Sequence, residues 1–298
     1  MTEDRISIII PAFNEEDNIK TFLESLKEVL SGISGTHEII VVDDGSADNT
    51  YSIASSVLDV RVLKNPYNKG NGASVKKGIM ESTGDKLVII DADGQQDPRH
   101  IHEMIELLGK YDLVVGARES FGACRRGFGN TVVSRLASYL SGIHIPDLTS
   151  GFRAFKKEYM LEFIDLLPNG YSLPSTSTLA FATSGYNVKF IPIFPHKRQG
   201  GKSGIKVSMD GMKFVVLIFR MISLFKPLKI FVPVSIFLLI IGLIWAVRGY
   251  YVTAVISPLG TMILLSGLFT FLFGLMADQI AQTRISLGKV AKYHRKKN

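Results

Sequence analysis

Only one cysteine, Cys124, occurs in 298 residues. A lone thiol excludes an internal disulfide and fits a reducing compartment. The six histidines show no metal-ligand spacing. His100 and His102, one residue apart, suit a solvated helix surface better than a metal site. The amino end, Met1-Thr2-Glu3-Asp4-Arg5, lacks the apolar run of a signal peptide and is expected to lead straight into a strand. Internal repeats and low-complexity tracts are absent. The length then suits one full domain with extra elements.

Charge is missing from two long stretches, Ile230 to Val247 and Gly249 to Ala277. A membrane span needs about 20 apolar residues, so these predict two transmembrane helices, about 229–248 and 255–277. The single tryptophan, Trp245, is expected to face lipid or the interface there, and Tyr250 and Tyr251 to sit at the turn. Acidic residues stop at Asp278, and Arg284, Lys289, Lys292, Arg295, Lys296 and Lys297 follow, carrying much of the net +7 charge. A basic end directly after an apolar region points to an anionic membrane surface and away from nucleic acid. Only Arg248 lies in the turn. The positive-inside rule therefore puts the turn outside and both termini in the cytoplasm, a multi-pass protein of the cell membrane. Upstream, Met209, Met212, Phe214, Val215, Leu217, Ile218, Met221 and Ile222 are interrupted by Asp210, Lys213 and Arg220. That pattern suits an amphipathic helix in a membrane interface, with a core helix as the alternative. The expected parts are a cytoplasmic domain 1–206, an amphipathic segment 207–226, a hairpin 227–279 and a basic tail 280–298.

Within the first part, Leu87 to Ile90 is a continuous apolar run, as in a strand buried on both faces. It ends in two carboxylates, Asp91 and Asp93. Asp97 and Pro98 read as the cap and start of the next helix. Ligands of open α/β sheets bind beyond the carboxyl ends of the strands. Two carboxylates there can hold a hard divalent cation, which in turn holds a diphosphate. Around this strand the chain alternates. Strands are expected over Arg5–Pro11, Glu38–Val42, Val60–Leu63, Leu113–Val115 and Val188–Ile193. Helices are expected after Glu16 and over Ala73–Glu81, Arg99–Leu108, Phe128–Leu140, Lys157–Leu166 and Ser175–Thr183. Asp147 to Phe155 reads as a loop into a short strand. The β-α-β alternation predicts a mostly parallel, doubly wound, Rossmann-like sheet with right-handed crossovers. Lys69 beside Gly70 and Gly72 could cradle a phosphate or mark a plain turn.

Pro11-Ala12-Phe13-Asn14-Glu15, Asp43-Asp44-Gly45-Ser46-x-Asp48, Asp91-x-Asp93-x-Gln95 and Ser150-Gly151-Phe152-Arg153 occur in that order. Together they resemble the GT-A glycosyltransferases of family 2. The nearest subset is the polyprenyl-phosphate glycosyltransferases, dolichol-phosphate mannose synthase-like and undecaprenyl-phosphate glycosyltransferase-like. The resemblance covers the soluble domain and the two trailing membrane helices. It implies inverting transfer from a nucleotide sugar, UDP- or GDP-linked, to a polyprenyl phosphate, assisted by Mg²⁺ or Mn²⁺. By that resemblance Asp93 and Gln95 are the metal ligands, and Asp91 lies near the ribose and diphosphate. Pro11, Ala12, Phe13 and Glu15 wall the nucleoside pocket, Asp43 or Asp44 contacts the base, and Lys69 adds a donor-side cation.

On the acceptor side, Arg118, Arg125, Arg126, Arg153, Lys197, Arg198 and Lys202 are expected in loops on one edge. Arginine binds phosphate bidentately and stays charged. The resemblance implies a lipid-phosphate site drawn from Arg118, Arg125, Arg126, Arg198 and Lys202, with Arg198 and Lys202 in a glycine-rich acceptor loop. Asp147 is either a turn residue or an acidic group near the acceptor. A lipid phosphate is already an anion and needs no strong base, so catalysis would rest on positioning and leaving-group stabilisation, with Asp91, Asp93, Gln95 and Arg118 as the working residues. Three other readings stand beside this one. A processive polysaccharide synthase usually carries Gln-x-x-Arg-Trp, which is missing. A transferase to a lipid hydroxyl would need a base, for which Asp147 is the one candidate. A non-catalytic nucleotide-sugar-binding membrane protein would not need every metal-binding residue. A homo-oligomer is compatible with the sequence and not required by it.

Overall fold

The computed structural model describes residues 4–118, 128–195 and 224–295. The chain divides into two compact units, one carrying a sheet with its helices and the other two long apolar helices. In the first unit the order is β1 Arg5–Ala12, α1 Ile19–Ser31, β2 Thr36–Asp43, α2 Thr50–Ser56, β3 Val60–Lys64, α3 Asn71–Glu81 and β4 Lys86–Ile89. It continues with α4 His100–Leu107, β5 Leu113–Arg118, α5 Phe128–Ser141, β6 Arg153–Lys156, α6 Lys157–Phe163, α7 Leu173–Thr183 and β7 Val188–Ile193.

The strands form one sheet in the order β3-β2-β1-β4-β6-β5-β7. Neighbours are parallel except at β6, which runs antiparallel to both β4 and β5. The mostly parallel, doubly wound expectation therefore holds, with one reversed strand inserted at its middle. The alternation of isoleucines on β1 explains the layering. Ile6, Ile8 and Ile10 join one core with Ile19, Phe22, Leu23, Leu26 and Leu30 of α1 and Ile101, Met104 and Ile105 of α4. Ile9 points the other way, onto α3, where a Cβ on Gly78 would lie 2.4 Å from its Cγ2. Burying each such side chain contributes about 1.5–3 kcal/mol.

Element ends differ from the sequence expectation in physical detail. Helix α3 begins at Asn71, so Gly72 is inside it. A Cβ there would meet the Pro168 carbonyl oxygen at 2.4 Å, so the loop 168–170 rests on the helix. Helix α4 starts at His100 and not at Pro98; Asp97 caps the preceding turn by accepting from the Arg99 N–H at 2.9 Å.

The second unit holds α8 Leu228–Thr253 and, as far as Lys289, α9 Pro258–Arg295; their stretches Leu228–Val252 and Pro258–Gly288 are each long and apolar enough to cross a membrane. Tyr250 and Tyr251 lie on the last turns of α8, not in the connection, and Ala254 closes the helix at φ 56°. The Arg248 guanidinium lies 5.4 Å from the Trp245 ring. Glycines set the contact between the helices. A Cβ at Gly242 would lie 2.7 Å from the Leu264 nitrogen, and one at Gly260 2.5 Å from the Ala246 nitrogen. Gly274 makes the same allowance for Phe231, 2.5 Å away. Small residues let membrane helices approach where no hydrophobic force drives them together. Large side chains such as Phe237, Leu243, Phe269 and Phe273 are exposed instead. The region read as a tail is helical as far as Arg295. The amphipathic segment read at 207–226 lies almost wholly outside the described residues.

Candidate active site

Register alone brings the predicted motifs to one edge. Ala12 at the end of β1 pairs with Asp43 at the end of β2. Ile9 pairs with Ile89, so Asp91 leaves β4 on the same edge. Because β6 is reversed, its first residue, Arg153, pairs with Ile89 and with Val115. The Ser150-Gly151 approach to β6 therefore reaches the edge where Arg118 leaves β5.

Asp91 is the centre of this edge. Its backbone N–H donates to the Gln96 Oε1 at 3.1 Å, and the Gln96 Nε2 donates to its Oδ2 at 2.8 Å. Gly94, at φ 69°, turns the chain so that Gln96 folds back. Gly151 lies against the same carboxylate; a Cβ there would sit 2.6 Å from Oδ2. Burial, then the charge of Asp93, pushes the Asp91 carboxyl above the ordinary range, opposed by Gln96, Arg118 and Arg153. The Asp93 Oδ1 accepts from the Gln95 N–H at 3.1 Å, closing a tight turn.

Carboxylate and amide oxygens at Asp91, Asp93 and Gln95 are hard donors suited to Mg²⁺ or Mn²⁺. Among the described residues no three His, Cys, Asp or Glu side chains form a closed cage. A cation here would take its other ligands from substrate phosphates and water. The charge of Asp93 raises the Asp91 pKa, a repulsion that a nearby cation would relieve. The residues present fit a divalent cation shared with a substrate.

Arg118 grips Asp147 with two side-chain bonds, Nε to Oδ2 at 2.7 Å and Nη2 to Oδ1 at 3.1 Å. Nη2 also donates to the Thr149 Oγ1 at 2.7 Å. Asp147 is buried, and burial raises its pKa; the bonds and charge of Arg118 outweigh that and hold it below the ordinary carboxylate range. Arg153 is a correction to the sequence reading. It is fully buried at the start of β6, not in an edge loop. Its Nη1 donates to the Pro174 carbonyl at 2.9 Å and the Ser177 Oγ at 2.6 Å, and its Nη2 to the Ser150 carbonyl. Burial lowers its pKa to about 10, opposed by Asp147 and Asp91, so it stays charged at neutral pH.

On the β1–β3 side, Phe13 is exposed while Pro11, Ala12 and Glu15 are buried. Asn14, at φ 54°, ties this turn to the next by accepting from the Ala47 N–H at 2.9 Å. The two carboxylates after β2 divide their work. Asp44 accepts from the N–H groups of Lys69 at 3.0 Å and Gly70 at 2.8 Å, and from the Asn65 Nδ2 at 2.8 Å. Asp43 accepts from the Ser46 N–H at 3.1 Å, and its Oδ2 is buried without a partner among the described residues. The backbone donors at Lys69 and Gly70 are thus bound to Asp44, and the Lys69 ammonium lies 5.5 Å from the Tyr67 ring. Arg125, Arg126, Lys197, Arg198 and Lys202 lie outside the described residues.

Comparison with known proteins bears on this edge directly. Residues 7–163, more than half of the chain and all the strands around Asp91, match the family described as glycosyl transferase family 2. The chain belongs to that family. Residues 226–283 match a second description, the GtrB C-terminal hairpin. Both halves of the resemblance drawn from the motifs are thus borne out. The dolichol-phosphate mannosyltransferase of Pyrococcus furiosus is 33% identical over 181 residues, which is 57% of this chain and 51% of that protein. An uncharacterized glycosyltransferase of Synechocystis is 30% identical over 197 residues, 62% of this chain and 59% of that one. The chain thus spans about half to three fifths of these two relatives. Among solved structures, glucosyl-3-phosphoglycerate synthase of Mycobacterium tuberculosis, in complex with Mn²⁺, UDP and phosphoglyceric acid, superposes with a TM-score of 0.58 at 22% identity. That match covers 74% of this chain and 78% of the synthase and shows a shared fold, the GT-A fold.

Seen as a family 2 protein, the edge assembles Ala12, Phe13, Asp43, Asp44, Asp91, Asp93, Gln95 and Arg118 along the ends of β1, β2, β4 and β5. Sequence reasoning missed Gln96, Gly151 as a contact of Asp91, and the Arg118–Asp147 pair. The doubled Gln95-Gln96 was the one available signal for the first. Nothing local signals the other two, because the partners lie 60 and 29 positions apart.

Proposed function

We propose that the chain is a membrane-bound inverting glycosyltransferase that moves a sugar from a UDP- or GDP-linked donor to a polyprenyl phosphate, undecaprenyl or dolichyl. The observation that carries this is a family 2 domain, with its Asp91-x-Asp93-x-Gln95 edge intact, in one chain with a matching apolar hairpin. The hairpin gives the chain access to the bilayer, where a polyprenyl phosphate resides. The likeness to a dolichol-phosphate mannosyltransferase supports the acceptor class.

The residue roles follow from the chemistry. Pro11, Ala12, Phe13 and Glu15 line the nucleoside, and Asp43 reads the base, since Asp44 is committed to the Lys69-Gly70 loop. Asp91 meets the donor, and Asp93 and Gln95 would hold Mg²⁺ or Mn²⁺. When bound, the cation neutralises charge on the leaving diphosphate. Arg118, with Arg125, Arg126, Arg198 and Lys202, counters repulsion between the two phosphorylated substrates. An oxygen of the lipid phosphate forms the bond to the anomeric carbon as the bond to the diphosphate breaks, and the nucleoside diphosphate leaves. No proton need be removed. That point favours a phosphate over a hydroxyl acceptor, because Asp147, held below the ordinary range by Arg118, is a poor base.

We further propose the catalytic domain over 1–206, and both termini in the cytoplasm from the basic residues after Asp278. The test is a donor screen with purified full chain, phospholipid, Mn²⁺ and either lipid phosphate. One nucleotide sugar should release its nucleoside diphosphate only when lipid phosphate is present. Release that ignores the lipid, or none with any donor, contradicts the reading.

A further inference from the structure

We infer that Gln96 is a positioning residue for the donor site: it fixes the Asp91 carboxylate from one side, while the bare Cα of Gly151 makes room for it on the other. The inference rests on the donor-site reading of Asp91 given above. Gln96 spends both ends of its amide on this one residue. Its oxygen takes the Asp91 backbone N–H at 3.1 Å and its nitrogen holds Oδ2 at 2.8 Å. One contact fixes the backbone where β4 ends, and the other fixes the side-chain rotamer. Together they leave Oδ1 as the oxygen not held by Gln96.

The turn is built for this. Gly94 adopts φ 69° with nothing within 4 Å of a would-be Cβ, so the glycine serves the backbone conformation and not a shortage of space. Gly151 is the opposite case. Its φ lies outside the left-handed region, yet a Cβ would sit 2.6 Å from the Asp91 Oδ2, 3.3 Å from Cγ and 3.4 Å from Oδ1. An alanine there can take the backbone conformation but must displace the carboxylate. Gln96, in the turn after β4, and Gly151, in the segment before β6, act on Asp91 by different physics, one by hydrogen bonding and one by space. Reactive geometry is sensitive to such settings, since small misplacements of a binding group cost much of the rate.

The experiment measures binding of UDP and of GDP, each with Mn²⁺, to the detergent-solubilised full chain by calorimetry. The proteins are wild type, Gln96→Met, Asp91→Asn, the double variant and Gly151→Ala, with thermal unfolding recorded for each. Losing a hydrogen bond to a charged group predicts that Gln96→Met weakens the nucleotide that wild type binds by about tenfold or more. Asp91→Asn should weaken it at least as much. The double variant should bind within about twofold of Asp91→Asn alone, since coupled residues are not additive. Gly151→Ala should also weaken binding while its unfolding midpoint stays near that of wild type. A purely structural role for Gln96 would instead lower the midpoint and make the losses multiply. The inference is overturned if Gln96→Met and Gly151→Ala bind as wild type, or if the Gln96 and Asp91 losses multiply. If Asp91→Asn binds as wild type, the donor-site reading itself falls and takes the inference with it.

Discussion

Arg118→Ala should destabilise the sheet unit by about 2–3 kcal/mol, although the residue is assigned to substrate handling. The substitution removes the bonds to Asp147 at 2.7 and 3.1 Å. It leaves a carboxylate whose side chain is 3% exposed. Breaking one side of a buried pair costs about 3–5 kcal/mol. Two features reduce that here. The Arg118 side chain is 41% exposed, so water already screens it. Asp147 also keeps the N–H groups of Thr149 at 3.0 Å and of residue 118 itself at 3.2 Å. For a unit of this size each kcal/mol moves the midpoint by roughly 2–4 °C, so a fall of about 5–10 °C is expected. Asp147→Ala should cost less, because it leaves a half-exposed cation and not a buried anion. The double variant should be more stable than the sum of the singles predicts. The sign of the pH dependence follows from Asp147. Its folded pKa lies below its unfolded value near 3.9, so its contribution is full above that value. It disappears as pH falls through the folded pKa. The gap between wild type and Arg118→Ala should thus be full at neutral pH and close as pH falls toward the folded pKa of Asp147. Scanning calorimetry of the detergent-solubilised chain reads all of this. Additive losses, or an Arg118→Ala midpoint equal to wild type, would refute the reasoning.

Other outcomes are expected on the same grounds. Asp93→Asn should cut turnover by orders of magnitude with the unfolding midpoint retained; metal-dependent activity at the wild-type level would remove Asp93 from the metal site. Arg118→Ala should also lower transfer to lipid phosphate about tenfold or more at saturating donor, with nucleotide affinity nearly unchanged and poor rescue by lysine. Gly260→Leu, whose Cβ would lie 2.5 Å from the Ala246 nitrogen, should loosen the hairpin and lower its resistance to denaturing detergent. Leu268→Ala, at an exposed position, is the control that should change little. A reporter fused after Asn298 should read as cytoplasmic, and an external signal would reverse the proposed topology.

Much of this architecture was readable because it depends on local pattern. The apolar run at Leu87 to Ile90 gave the central strand, and the charge-free stretches gave the two long helices. The edge carrying Ala12, Asp43 and Asp91 follows from the β-α alternation, which brings the carboxyl ends of parallel strands to one side. What escaped depends on partners far away in sequence. β6 reads as a short strand, but nothing in Arg153-Ala154-Phe155-Lys156 says that it slips between β4 and β5 in reverse. That placement also buries Arg153, which looks like a surface cation. Apart from the Ser150 carbonyl, its partners lie on α7, where Ser175, Thr176, Ser177 and Thr178 are buried despite their polarity. Thr176 and Thr178 satisfy themselves on carbonyls four residues back, at 2.9 and 3.0 Å. The helix over Ser175–Thr183 is legible in the sequence, but the burial of its polar side chains is not. The sequence does not decide between a phosphate cradle and a plain turn at Lys69-Gly70, because the internal acceptor of that loop, Asp44, lies 25 positions before Lys69.

The central claim is that sugar passes from a nucleotide to a lipid phosphate. Mass spectrometry of the lipid fraction tests it most directly, after the purified full chain has been incubated with the donor found by screening, Mn²⁺ and undecaprenyl or dolichyl phosphate in phospholipid. The account predicts one new species, the polyprenyl phosphate plus a single sugar joined through the phosphate oxygen, with inverted anomeric configuration. It should vanish in Asp93→Asn. A polymer, a sugar on a lipid hydroxyl, or a retained configuration would contradict the account.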